Sequence, residues 1–225
     1  MKIDVKGVIV PNDYADVYAF LGMDHCCPRM VQEALGKTSP GEKVDVYINS
    51  PGGNVADGSE IYEAIRSYAG PKEMHIVGQA NSAASIVAMA GPSEIAPTAL
   101  MMIHRISTGV HGNAYAMHKA EKMLETADNG LCAAYMEKTG MSREEVLSLM
   151  DKESWFNAED CVRLKLVDKI SERKTEPAAQ MIASGEPLLS QDVINIVRKQ
   201  MENQQPKAAA QAALDLLKMK GVAND

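Results

Sequence analysis

Short apolar runs alternate with helical stretches along most of this chain, and that rhythm restricts the fold more than any other feature. Gly7–Val10, Val44–Ile48, His75–Gly78, Glu94–Ile95 and Leu100–His104 are strand-like: brief, rich in β-branched or apolar residues, and bounded by Gly, Pro, Asn or Ser. Between them Pro28–Gly36, Val55–Tyr68 and Ser82–Ala90 read as helices. Ile61, Ala64, Ile65 and Tyr68 recur at i, i+3, i+4 and i+7, which gathers them into one apolar stripe. Strand and helix in this alternation predict an α/β fold around a largely parallel sheet. The opening MKIDVKGVIV alternates apolar and polar residues and is expected to be a strand rather than a secretory signal.

Further on, the pattern changes. Asn113 to Thr139 reads as one long helix closed by Gly140. Ser142 with Glu145 three residues later forms a capping box that opens a helix over Arg143–Met150, and Asn157 caps another over Ala158–Leu164. Residues 171–188 carry charges, Pro177 and Pro187 without periodicity, so a linker is expected there. Two more helices are expected at about 190–203 and 207–220, split by Asn203-Gln-Gln-Pro206. The predicted organisation is a domain over 1–170, the linker, and a helical tail over 189–225. A chain of 225 residues has length enough for that one core and its appendage.

Charge and cysteine usage narrow the partners. A net charge of −7 argues against general nucleic-acid binding. No run reaches the ~18 apolar residues of a membrane span. Cys26, Cys27, Cys132 and Cys161 form no C-x-x-C pair and have no histidine at zinc-ligand spacing, so no metal is implied. They read as reduced thiols packed as small hydrophobes, which points to the cytoplasm.

Three segments could carry chemistry. Ile48-Asn-Ser-Pro-Gly-Gly53 leaves a strand with adjacent glycines, whose free amides could cradle an anion, although a bare PGG is more often a plain turn. Gly78-Gln-Ala-Asn-Ser82-Ala-Ala-Ser85 runs from strand to helix and exposes a serine hydroxyl beside helix N-terminal amides. It lacks G-x-S-x-G, and small residues there also suit close helix–sheet packing. Met101-Met-Ile-His104 ends an apolar strand with a histidine, a position more often structural than catalytic. Each signal alone is weak.

Together and in this order, INSPGG, GQANSAAS, MMIH and the Glu153-Ser-Trp-Phe-Asn-Ala-Glu-Asp160 block resemble the Clp protease proteolytic subunit family. The resemblance runs from about Gly7 to Ile170, with Leu166-Val-Asp-Lys-Ile170 as the closing strand. Ile9-Val-Pro-Asn12, SAASIVAMAG and Glu153-Ser-Trp-Phe156 are most similar to the phage and prophage branch, which matures viral heads. The resemblance implies a Clp-protease/crotonase-like fold of repeated ββα units with a long protruding helix. It implies a serine endopeptidase with Ser82 as nucleophile, His104 as general base, and the amides of Gly53 and Ala83 as oxyanion donors. Gly52, Asn54, Val55 and Arg105 fall where the family holds an extended substrate.

The acid departs from the family pattern. Counted from His104, the family's aspartate falls on Glu153, with Asp151 as the alternative and Asp128, Asp160 and Asp168 as weaker ones. Ser85, one helical turn beyond Ser82, is expected to turn into the packing. The resemblance further implies polypeptide substrates, no cofactor, and a ring-forming homo-oligomer in which the long helix bridges stacked rings. A Clp-type ATPase or phage capsid proteins are the partners it suggests, the chain having no G-x-x-x-x-G-K-[ST] of its own. Two rivals stand beside it: a crotonase-type acyl-CoA enzyme, which needs no Ser–His pair, and an inactive assembly or scaffold ring.

Overall fold

In the computed structural model, which describes residues 1–172, the N-terminal alternation becomes strand β1 (Lys2–Ile9), with Ile3, Val5 and Ile9 buried. After it come α1 (Ala15–Phe20), β2 (His25–Cys26), α2 (Pro28–Gly36), β3 (Val44–Gly53), α3 (Val55–Arg66), β4 (Lys72–Asn81) and α4 (Ala83–Ala88). The second half runs β5 (Ser93–Ile95), β6 (Leu100–Ile103), α5 (Ala114–Thr139), α6 (Arg143–Asp151), β7 (Ser154–Phe156), α7 (Ala158–Arg163) and β8 (Lys169–Ile170). One sheet holds all the strands, in the order β2-β1-β3-β4-β5-β8, with β6 also pairing β4 and carrying β7. Every pairing is parallel except β6 with β7. The α/β expectation holds, and helices supply the crossovers that parallel neighbours require.

One sheet face makes the core. Val44, Val46 and Ile48 of β3 and Met74 and Ile76 of β4 are buried, as are Ile61 and Ile65 of α3 and Ile86 and Val87 of α4. Because α3 and α4 share this core, the loops that enter them are held at the same end of the sheet. The other face of β1, β3 and β4 is polar, following the alternate residues of each strand.

Capping matched the sequence closely. Ser142 and Glu145 form the reciprocal box that opens α6, Asn157 caps α7, and Gly140 closes α5 in the left-handed region. At about 1.5 Å per residue, the 26 residues of α5 span ~39 Å. None of its residues before Asp128 is buried, so its first half stands clear of the core.

Strand lengths differed. β3 continues through the glycines instead of stopping at Ile48, accommodated by irregular register against β1 and β4. β6 ends at Ile103, leaving His104 just beyond it. The elements α1, β2 and β7 had no counterpart in the sequence reading, because pieces of two to six residues are too short to show periodicity. All four cysteines are buried free thiols, and burial, then neighbouring Cys27 and Asp4, pushes Cys26 up to about 12. Among the described residues no helix is long and apolar enough to cross a membrane. Nearly all of the expected linker, and both tail helices, lie outside the described residues.

Candidate active site

Strand β4 hands over to α4 at one residue, Ser82, whose backbone stands at φ 53, ψ −127. A serine pays roughly 1–3 kcal/mol to hold such a conformation, and the surroundings must over-determine it. They do. Its N–H donates to the Met102 carbonyl of β6 at 2.8 Å, and its carbonyl accepts the Ser85 N–H at 2.9 Å. The sharp strand-to-helix turn lifts the hydroxyl off the end of the sheet.

The register of β6 brings the histidine to it. Asn81 of β4 pairs with Met102 of β6, so Ser82 and His104 leave the sheet at the same edge. His104 Nε2 lies 2.8 Å from Ser82 Oγ. With the proton on Nδ1, Nε2 accepts the serine O–H, the arrangement in which imidazole removes that proton during attack.

The glycine pair closes in from β3. A β-carbon at Gly52 would meet the Asn81 carbonyl at 2.6 Å and the Ser82 β-carbon at 2.7 Å, and one at Gly53 would collide with the Ile9 carbonyl. Only glycine permits this approach, at φ +96 for Gly52. The Gly52 N–H donates to the buried Ser50 hydroxyl. Gly53 and Ala83 line one small cleft of about 70 Å³ together with Ser82 and His104, and Val55, Ile86, Ile106, Ser107, Leu131 and Tyr135 form its other walls. A hydroxyl, an imidazole and two backbone segments facing one cleft can carry acyl transfer.

The acidic candidates separate by what they touch. Asp151 accepts from Arg105 Nε at 2.8 Å, and that guanidinium holds its carboxyl below the usual range. Asp128, 4% exposed, accepts the Ile106 N–H at 2.9 Å and Arg105 Nη1 at 3.3 Å. Asp160 pairs with Arg163, and Asp168 with Lys138. Glu153 is different. It takes a left-handed conformation at φ 48 just before β7, and β7 runs antiparallel to β6 with Ser154 opposite Ile103. Continuing that register sets Glu153 across from His104. Among the described residues Ser82 is nevertheless the one hydrogen-bonding partner of the His104 ring, so the expected carboxylate makes no hydrogen bond to Nδ1.

Two of the residues expected near substrate have their side chains engaged by the protein itself. Arg105 is engaged by Asp128 and Asp151 rather than lining the cleft, because buried Asp128 needs a cation beside it. Asn54 Oδ1 caps α3 by accepting the Ala56 and Asp57 amides, so its side chain is not free. β3 stops at Gly53 and α3 starts at Val55, so Asn54 and Val55 lie at a helix start.

Two residues went unrecognised as parts of the site. Ser85 is fully buried as anticipated, yet its hydroxyl lies 2.6 Å from the Ser82 carbonyl and 2.7 Å from the Tyr135 hydroxyl. The spacing of Ser82 and Ser85 was a usable signal; nothing local pointed to Tyr135, distant in the chain. Elsewhere, Asp45, Glu73 and His75 converge closely enough to hold a cation. Lys43 reaches both carboxylates, and Lys169 reaches Glu73, so the cluster is a salt-linked patch of the polar sheet face.

A family model described as Clp protease matches residues 24–174, a span that holds every site residue named above except the Ile9 carbonyl.

Proposed function

The chain belongs to the Clp protease family, and from that premise we propose that it is a serine endopeptidase working through an acyl-enzyme on Ser82. The observation that carries this reading is the 2.8 Å approach of His104 Nε2 to Ser82 Oγ at a strained strand-to-helix turn. A crotonase-type enzyme has no use for that pair.

In the proposed reaction Ser82 Oγ attacks the scissile carbonyl carbon while His104 Nε2 takes its proton. The carbonyl oxygen becomes negative and receives the N–H groups of Gly53 and Ala83, each such donor being worth about 10²–10³ in rate. Imidazolium then protonates the departing amine, and His104 next activates the water that hydrolyses the ester. Glu153 is the proposed partner of Nδ1, supported by the β6–β7 register and by its left-handed backbone. The cleft walls suit an apolar side chain next to the scissile bond.

The wider reading is a homo-oligomeric ring that encloses these sites and admits extended polypeptides. The exposed first half of α5 supports it, as a helix with so little cover from its own subunit suits a bridge between rings. The three segments similar to the phage and prophage branch favour capsid or scaffold polypeptides as substrates over general degradation with a Clp-type ATPase.

Treatment with a fluorophosphonate probe, followed by peptide mapping, tests the core of this proposal. One adduct is expected, on Ser82, with none in Ser82→Ala and no hydrolysis of casein or a fluorogenic peptide by that variant. Equal turnover by both proteins would remove Ser82 from the mechanism and leave an assembly ring as the better account.

A further inference from the structure

The nucleophile's peptide group is anchored from behind by two hydroxyls. Ser85 Oγ donates to the Ser82 carbonyl at 2.6 Å. A serine hydroxyl has one proton, so toward Tyr135 at 2.7 Å it accepts, and the Tyr135 O–H is the donor. Ser85 is 0% exposed and Tyr135 3%, and burial pushes the phenol well above its ordinary value, which keeps that proton in place.

What these hydroxyls grip is one end of a rigid unit. The Ser82 carbonyl and the Ala83 N–H belong to the same planar peptide, so fixing the oxygen fixes the direction of the N–H. A carbonyl that accepts two hydrogen bonds, here from the Ser85 N–H and Oγ, is also more polarised, and its amide becomes a stronger donor. Ser82 sits at positive φ, where the peptide would otherwise relax toward a common conformation.

We infer that Ser85 and Tyr135 are positioning residues for the reaction: through the chain Tyr135 O–H, Ser85 Oγ and Ser82 carbonyl they aim the Ala83 N–H at the developing oxyanion. Neither hydroxyl touches substrate. Their effect therefore belongs to the transition state and leaves substrate binding alone. The inference rests on the serine-peptidase reading of Ser82.

Tyr135→Phe keeps the ring that walls the cleft and removes only the hydroxyl. With a fluorogenic peptide, kcat is expected to fall about 10- to 100-fold, less than the loss of a whole oxyanion donor, with KM unchanged. Affinity for a peptide boronate, whose tetrahedral adduct carries the oxyanion, should weaken in parallel, while an uncleaved peptide binds as before. Ser85→Ala should reproduce this pattern, and the double variant should lose little more than the worse single one, as members of one chain are not additive. Unchanged kcat and boronate affinity in folded Tyr135→Phe would overturn the inference, and so would a loss confined to KM. If Tyr135→Phe fails to fold, Ser85→Ala carries the same decision. A parent protein without turnover or Ser82 labelling would sink the peptidase reading itself, whereas an active parent with indifferent variants sinks only this step.

Discussion

A β-carbon placed on Gly52 would stand 2.7 Å from the β-carbon of Ser82, closer than real side chains come. The glycine end of β3 and the strained serine after β4 are thus built against each other. The same added carbon would meet the Asn81 carbonyl at 2.6 Å and the Ala83 nitrogen at 3.0 Å. Those are backbone atoms of the proposed nucleophile and oxyanion peptides, with no flexible side chain available to give way.

Gly52→Ala should therefore displace the turn that carries the proposed nucleophile. A shift of about 1 Å there is expected to cost about 10²-fold in kcat, and overpacking about 1–3 kcal/mol of stability. Gly41→Ala is the matched control: it also has positive φ, but nothing lies within 4 Å of the added carbon. It should lose roughly 1–2 kcal/mol from backbone strain and keep its activity. Urea unfolding alongside peptide turnover separates the two; full activity in Gly52→Ala would show that the approach is not needed.

Arg105 gives a second contrast, between substrate binding and internal support. Removing it leaves Asp128, 4% exposed, with the Ile106 N–H and no cation. Arg105→Ala is expected to lose about 1–3 kcal/mol, and Asp151→Asn to stay close to the parent, since that carboxylate is solvent-exposed. KM for a short peptide should not follow the stability loss. A raised KM in a normally stable Arg105→Ala would return Arg105 to the substrate.

Acid sensitivity should be readable at Asp168, which links β5 to α5. Burial pushes its carboxyl up, but hydrogen bonds from Lys138 and Ser93 outweigh that and leave it below the ordinary 3.8. A carboxylate depressed in the folded state stabilises fully above its unfolded value, and the contribution disappears as pH falls through the folded one. Asp168→Asn should accordingly be less stable than the parent at neutral pH, by no more than about 0.5 kcal/mol because water screens this half-exposed carboxylate. Unfolding followed toward acid should show that gap closing below pH 3.8. A gap independent of pH would mean that packing, not ionisation, sets the difference.

How much of this was legible depended on distance along the chain. The apolar alternation of Val44–Ile48 and the stripe through Ile61, Ile65 and Tyr68 are local, and the sheet and α3 followed from them. So did the capping box of Ser142 and Glu145. The PGG and the serine turn were visible as types, but their contact required the β3–β4 pairing, which no local pattern encodes. Tyr135 meets Ser85 across the fold because α5 packs over α4, and a tyrosine within a long helix gives no sign of that. Counting residues could not show that the Arg105 guanidinium turns toward Asp128.

Counting also left Glu153 and Asp151 as rivals, and the register of two short strands separates them. Ile103 faces Ser154, so the residue after the first, His104, faces the residue before the second, Glu153. Asp151 lies two residues back at the end of α6, its carboxylate on Arg105. Glutamate's extra methylene must be accommodated, and the left-handed backbone at Glu153, φ 48, is a strain of the kind that functional positions retain. His104 and Glu153 are not hydrogen-bonded here, so the proposed triad requires the Glu153 carboxylate to reach Nδ1 in the working enzyme. Glu153→Gln removes the charge at nearly constant shape. It should lower kcat by up to about 10⁴-fold, the scale seen when such an acid is made neutral in a serine triad. Asp151→Asn should change kcat little. The opposite ranking, with Asp151→Asn inactive and Glu153→Gln active, would mean that Arg105 releases Asp151 to the histidine, and the register argument would fail.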